Sequence, residues 1–203
     1  AGAHLLQLVM IFPSRGTRIA WNRDVFYTSS HIIPGYCKTD FYGRDSVVIF
    51  LDIDGVICTT LSTRISNFLR LPLERQIFDP LSLYWLRRLV RRTGARVVLC
   101  SSWRDALTSD DPLCRAFIRN LYRQLEKNGT PVSDAAPQMD HGDKGEDILT
   151  WLEAHPCQRY AVLDDHDCFA LGPSVRAHWV AVPENRGLRR REALAAEKLL
   201  TGG

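Results

Sequence analysis

Three observations predict an α/β fold with a mainly parallel central sheet and helices on both of its faces. Val47-Val48-Ile49-Phe50-Leu51, Arg96-Val97-Val98-Leu99-Cys100 and Tyr160-Ala161-Val162-Leu163 are short apolar runs, the pattern of strands covered on both sides. Each run ends in polar residues, at Asp52-Ile53-Asp54-Gly55, at Ser101-Ser102-Trp103-Arg104 and at Asp164-Asp165. Helical patterns separate the runs, and strands alternating with helices imply right-handed crossovers. Ligands of open parallel sheets bind beyond the carboxyl ends of the strands, so the three polar ends predict one shared crevice.

The elements follow in order. Residues 1–45 read as an N-terminal extension whose role the sequence does not define, with Pro34, Gly35 and Gly43 marking loops, and residues 46–203 as the α/β domain. Asp79-Pro80 places an N-cap before a proline at the first helical position, predicting a helix through Leu81, Trp85, Leu86, Leu89 and Val90 that Gly94 stops. Asp111-Pro112 repeats the device for a helix that buries Leu113, Phe117, Leu121 and Leu125 and ends near Gly129. Asp143-Lys144-Gly145-Glu146-Asp147 opens another, with Ile148, Leu149 and Leu152 on one face and Pro156 just past its end. Val175 to Val182 reads as a further strand and Arg186 to Leu200 as a closing helix.

A chain of 203 residues with 45% hydrophobic content suits one large domain. No apolar run approaches the roughly twenty residues of a membrane span. Leu5 to Phe12 is the most apolar early stretch, but no basic residue precedes it and no small-residue cleavage pattern follows, so a cytoplasmic protein is expected. The six cysteines show neither Cys-x-x-Cys nor zinc spacing and read as reduced core thiols, with Cys100 beside Ser101 a candidate reactive thiol. A formal net charge of +3 does not by itself imply a nucleic-acid partner, and Arg87, Arg88, Arg91 and Arg92, like Arg189 to Arg191, read as solvated faces.

The chemistry is legible at the strand ends. Asp52 and Asp54 are like charges whose repulsion a divalent cation offsets most simply, although the segment alone is equally a solvated turn. In sequence order the chain then supplies a hydroxyl at Ser101, a lysine at Lys144 and a second carboxylate pair at Asp164-Asp165. Phosphoryl transfer needs such groups: metal ligands, a nucleophile, a hydrogen-bond donor and a fixed positive charge. A phosphorelay receiver uses similar residues, but its adjacent acidic pair comes first and its lysine last, so the order here excludes it. A metal-dependent glycosyltransferase could use Asp-x-Asp but has no need for Lys144 and the later acidic pair.

These four motifs resemble the signatures of the haloacid dehalogenase (HAD) superfamily: Asp52 to Val56, Ser101, Lys144 and Asp164-Asp165. Ser101-Ser102-Trp103-Arg104 and the later Gly187-Leu188 are similar to the branch found in Swiss Army Knife RNA-repair proteins, over roughly residues 46–200. Ala136-Pro137 stands where that branch has Thr-Pro, and Lys144 where relatives carry Arg. The resemblance implies a three-layer Rossmann-like HAD fold with the Asp52 strand central, a Mg²⁺ cofactor, and a phosphomonoesterase working through an aspartyl-phosphate. Asp52 is then the nucleophile and Asp54 the acid, then base, swung into place by a turn at Gly55. Ser101 donates to a phosphoryl oxygen and Lys144 supplies charge. Asp52, the Asp54 carbonyl and Asp164 ligate the metal, while Asp165 either joins through water or orients Lys144. No Cys or His lies within the motifs, although His141 and His166 are near.

Neither residues 57–78 nor residues 102–143 leave room for a cap domain. An open site favours a large phosphorylated substrate, an RNA or DNA end ahead of a phosphoprotein, with no membrane partner. Ser102, Trp103 and Arg104 are the candidate substrate contacts. Trp103 either stacks on a base or packs beneath its loop, and Arg104 either holds a second phosphate or pairs with a carboxylate. The alternatives are a small-metabolite or nucleotide phosphatase partly closed by residues 57–78, and a non-catalytic module on the same fold.

Overall fold

The computed structural model describes residues 46–138, 143–166 and 172–203. The N-terminal extension, His141 and Cys168 fall outside these residues. In chain order the elements are β1 (Val47–Leu51), α1 (Thr60–Phe68), α2 (Pro80–Thr93), β2 (Arg96–Leu99), α3 (Asp105–Thr108), α4 (Pro112–Lys127), β3 (Val132–Ala135), α5 (Lys144–Ala154), β4 (Arg159–Asp164), α6 (Pro173–Arg176), β5 (Trp179–Ala181) and α7 (Arg190–Thr201). Short 3-10 turns occupy Leu73–Arg75 and Ser102–Arg104. The five strands form one parallel sheet in the order β3-β2-β1-β4-β5. The Asp52 strand is therefore central, as the resemblance implies.

Alternation along the central strands builds two cores. Ile49 and Leu51 of β1 pack with Val97 and Leu99 of β2 and with the apolar stripes of α2, α4 and α7. Val48 and Phe50 face the other way, onto Ile148 and Trp151 of α5 and Val175 of α6. Phe50 meets Trp151 edge-on at 5.3 Å, and the Trp151 indole N–H donates to Asp134 Oδ2 at 2.8 Å. This is the predicted three-layer arrangement. Residues 57–78 form α1 and the Leu73–Arg75 turn and no cap domain.

Both Asp-Pro caps operate as predicted: Asp79 accepts from the Ser82 amide and Asp111 from the Leu113 amide, and Gly94 ends α2 at φ 67. Two boundaries differ. Val175 belongs to α6 and β5 begins only at Trp179, because Gly172-Pro173 starts a helical turn first. The last helix opens at Arg190, since residues 183–187 make a turn ending in Gly187 at φ 71. Leu81, Leu113 and Leu149 are exposed rather than buried, the first two at the opening turns of their helices. Arg189 is no solvated residue: it bonds both Asp79 oxygens, at 3.2 and 3.1 Å, and Ser82 Oγ at 2.8 Å. Gly187 sits so close to the first motif that a Cβ would press on Ser82 Oγ at 2.6 Å and the Val56 carbonyl at 2.7 Å.

Candidate active site

The sheet order reverses at β1, since the chain moves outward through β2 and β3 and returns to the other side with β4. Such a switch point opens a crevice at the strand ends. Leu51 is level with both Leu99 and Leu163, so β1, β2 and β4 finish together. Asp52 follows β1, Ser101 lies just past β2, and Asp164 ends β4. Backbone bonds continue one step further, from the Asp52 amide to Leu163 O at 3.0 Å and from the Cys100 amide to Leu51 O at 2.9 Å. Asp52, Ser101 and Asp164 are 6%, 1% and 1% exposed, which fixes their side chains within the crevice wall.

Lys144 reaches this group from the first position of α5, where Asp143 caps the helix by accepting from the Gly145 amide at 2.7 Å. Its ammonium bonds Asp52 Oδ1 at 3.1 Å and also Asp164 Oδ2. Burial pushes the lysine pKa down, but the two carboxylates outweigh it and hold the amine charged. Burial raises the Asp52 pKa to about 7, with Lys144 opposing and Asp164 reinforcing the shift. Asp164 Oδ1 accepts from the His166 amide at 3.0 Å.

Asp54 stands beyond the strand on a turn. Gly55 has φ 66, its amide donates to Cys58 O at 2.9 Å, and a Cβ there would collide with the Asp165 carboxylate. That is the turn predicted at Gly55, with a second reason for glycine. Asp54 as a residue is exposed, yet the surrounding walls desolvate its carboxyl enough to raise its pKa, against hydrogen bonds from Trp103 and Cys58 that lower it. Asp165 lies over Gly55 with Oδ1 3.5 Å from His166 Nδ1, and the Lys144 ammonium goes to Asp52 and Asp164 instead.

Asp52, Asp164 and Asp165 set three carboxylates against one ammonium, a formal charge of −2. This deficit, two of its members buried, fits a hard divalent cation held by oxygens. Asp164, Asp165 and His166 offer ligand atoms within 4.8 Å of one another, so His166 is a further donor that the motif reading left at the margin.

Two of the three candidate substrate contacts are corrected. Trp103 is 5% exposed, its ring against Phe117 at 3.9 Å and Phe78 at 5.8 Å, so no face is left for a base. Arg104 is 7% exposed and spends four of its five N–H donors on the Ser101, Ala136 and Pro137 carbonyls and on Asp147 Oδ2 at 2.8 Å, so it is buried in its own loop and paired with a carboxylate rather than held out to a phosphate. The packing and pairing alternatives are the ones realised. Ser102 is exposed at the start of its 3-10 turn. Ser101 Oγ accepts from the Trp103 amide at 3.4 Å, which leaves its own proton to donate. Cys100 is corrected too: burial pushes its thiol up to about 12, so it stays protonated and unreactive.

The sequence profile of one family, described as the HAD domain in Swiss Army Knife RNA repair proteins, matches residues 48–193. No curated protein matches the chain. Among solved structures, D,D-heptose 1.7-bisphosphate phosphatase from B. bronchiseptica, complexed with magnesium and phosphate, aligns at a TM-score of 0.46 and 19% identity. That alignment covers 78% of this chain and 99% of that one. With all four motifs gathered at the switch point and the family profile spanning them, this chain belongs to the HAD domains of the Swiss Army Knife RNA-repair type.

Proposed function

We propose that this domain is a phosphoric monoester hydrolase that works through an aspartyl-phosphate on Asp52, and that its substrate is the phosphorylated end of a nucleic acid. The observation that carries the chemistry is the buried Asp52 carboxylate beside Lys144, with a free-to-donate Ser101 hydroxyl at the neighbouring strand end. Asp52 attacks phosphorus while the bond from phosphorus to the leaving oxygen breaks. Ser101 and Lys144 bind the phosphoryl oxygens on which charge gathers. Asp54 gives its proton to the leaving oxygen, then takes one from the water that hydrolyses the aspartyl-phosphate. A divalent cation held by Asp52, Asp164 and Asp165 supplies charge that lets Asp52 be an anion beside an anionic substrate.

Two features support a large substrate. Residues 57–78 contain one helix and one 3-10 turn, too little to close over the crevice. That helix, α1, opens directly after the Asp54–Cys58 bridge and leaves Leu61, Ile65, Phe68 and Leu69 exposed along one face, Phe68 by 86%. Arg64, Arg70 and Arg75 are exposed around it, and Arg70 holds φ 51, a conformation that glycine adopts more readily than arginine. An apolar face ringed by cations complements a strand of stacked bases and phosphates.

The test is magnesium-dependent phosphate release from 5′- and 3′-phosphorylated oligonucleotides, mononucleotides, sugar phosphates and an aryl phosphate. The oligonucleotides are expected to have the highest kcat/KM, and hydroxylamine to trap an acyl-phosphate in the wild type but not in Asp52→Asn. Phe68→Ser should lower kcat/KM on oligonucleotides by about 1 to 3 kcal/mol per base that stacks there. Efficient hydrolysis of a sugar phosphate with negligible oligonucleotide activity makes this a metabolite phosphatase, and no release from any of them makes it a binding module.

A further inference from the structure

We propose that Trp103 is a positioning residue for Asp54, its indole N–H holding the acid–base carboxylate where a leaving group departs. The inference rests on the reading of Asp54 as acid, then base. Trp103 Nε1 donates to Asp54 Oδ2 at 2.8 Å, across 49 positions of sequence. The two partners have opposite surroundings. Asp54 is exposed on a turn past the end of β1, where a carboxylate is free to sample several staggered rotamers. Trp103 is buried and wedged between Phe78 and Phe117, so its N–H points from a rigid wall. Its backbone belongs to the 3-10 turn that Ser101 caps, which ties the direction of this N–H to the hydroxyl that receives the phosphate.

The chemistry of the contact also suits an acid more than a structural pair. Trp103 is a neutral donor, and the nearby Cys58 thiol, kept protonated by burial while its sulfur receives the Gln76 amide at 2.9 Å, brings no charge to the carboxylate either. Neutral donors orient a carboxyl without locking it as an anion, as an arginine would. The indole occupies Oδ2, which leaves Oδ1 to carry the proton that moves. As the Asp52 oxygen bonds to phosphorus and the ester P–O bond breaks, that proton passes to the leaving oxygen, which departs as an alcohol. The carboxylate left behind keeps the indole bond, now charge-assisted and stronger.

The readout is sensitivity to the leaving group. Trp103→Phe keeps a ring between Phe78 and Phe117 and removes the N–H. A nitrophenolate leaves with little help from an acid, whereas an alkoxide needs its proton in the transition state. kcat/KM isolates this first step from the later hydrolysis, in which Asp54 acts as base. The loss in kcat/KM on an alkyl phosphate is expected to exceed the loss on p-nitrophenyl phosphate by about tenfold or more. A merely structural tryptophan lowers both alike, and equal losses overturn the proposal. Asp54→Asn is the control. If it shows no such split, Asp54 is not the acid and the functional reading above fails; if it shows the split and Trp103→Phe does not, only the present inference fails. Should Trp103→Phe melt below the wild type, replacing Trp103 by benzothienylalanine, with sulfur for the N–H in an unchanged outline, carries the same two expectations.

Discussion

Asp52 illustrates how a residue can be right for chemistry and wrong for stability. Burial and Asp164 lift its pKa to about 7, above the unfolded value of about 3.9. For a raised pKa the folded state favours the proton, so the stabilisation is complete below the unfolded pKa and is lost as pH rises through about 7. At neutral pH in a chelator the Asp52 carboxylate therefore weighs against the fold. Asp52→Asn is expected to abolish turnover yet raise Tm in EDTA, a gain of about 1 kcal/mol appearing as about 2 to 4 °C. An equal or lower Tm contradicts the argument, as does retained phosphatase activity. The carboxylates and hydroxyl were legible in the sequence because a polar residue straight after an apolar run marks a strand end, and the lysine because Asp143 marks the start of the helix that carries it. The bond between Asp54 and Trp103 was not, because a 49-residue separation is closed only by the packing of the 3-10 turn on Phe78 and Phe117.

At the scale of elements, one buried and one half-buried ion pair hold the site's supports in place. Arg104, in the turn after β2, bonds Asp147 one helical turn beyond Lys144 on α5, and so ties the Ser101 loop to the helix that carries the lysine. Arg104→Ala leaves Asp147 buried without this partner and three carbonyls without this donor, and should cost about 3 to 5 kcal/mol in urea unfolding. A loss near zero would mean that solvent replaces the pair. Asp79 is the second support. It caps α2, its carboxyl accepts from Thr59, the cap of α1, and it pairs with Arg189 ahead of α7. Burial pushes its pKa up, but the Ser82 amide and Arg189 outweigh that and the net shift is downward. For a lowered pKa the stabilisation is complete above the unfolded value of about 3.9 and is lost as pH falls through the lower folded value. Asp79→Asn should thus reduce stability at pH 7 and flatten its decline below pH 4, by acid titration of Tm; an unchanged decline would exclude Asp79 as a contributor. Both helices with Asp-Pro caps were legible from those dipeptides. β3 was not, because Val132-Ser133-Asp134-Ala135 is an edge strand with polar residues and lacks an apolar run. Nor was α1: its Thr59 to Ser62 capping box is there to read, but its apolar residues face outward, against the usual sign of a core helix.

Over the whole molecule, the sheet order decides where charge collects. Because β1 lies between β2 and β4, carboxylates separated by more than a hundred residues of chain meet at one crevice. Lys144 bridges Asp52 of β1 and Asp164 of β4, yet the formal charge of the three carboxylates and the lysine is still −2. A cation that joins these strand ends binds only the folded chain, since unfolding disperses its ligands. It must therefore stabilise the fold by mass action. Magnesium at ten times its Kd adds about 1.4 kcal/mol, or about 3 to 6 °C for a chain of this size. Thermal melts in EDTA and in millimolar MgCl₂, matched in ionic strength with NaCl, should show that rise in the wild type. Asp164→Asn should remove it, because its loss takes away a buried oxygen ligand at the end of β4. Lys144→Ala should enlarge it, because the variant starts from a formal −3 that the divalent ion then has to offset alone. A wild-type Tm indifferent to magnesium, or the same rise in Asp164→Asn, would show that these carboxylates do not gather a divalent cation.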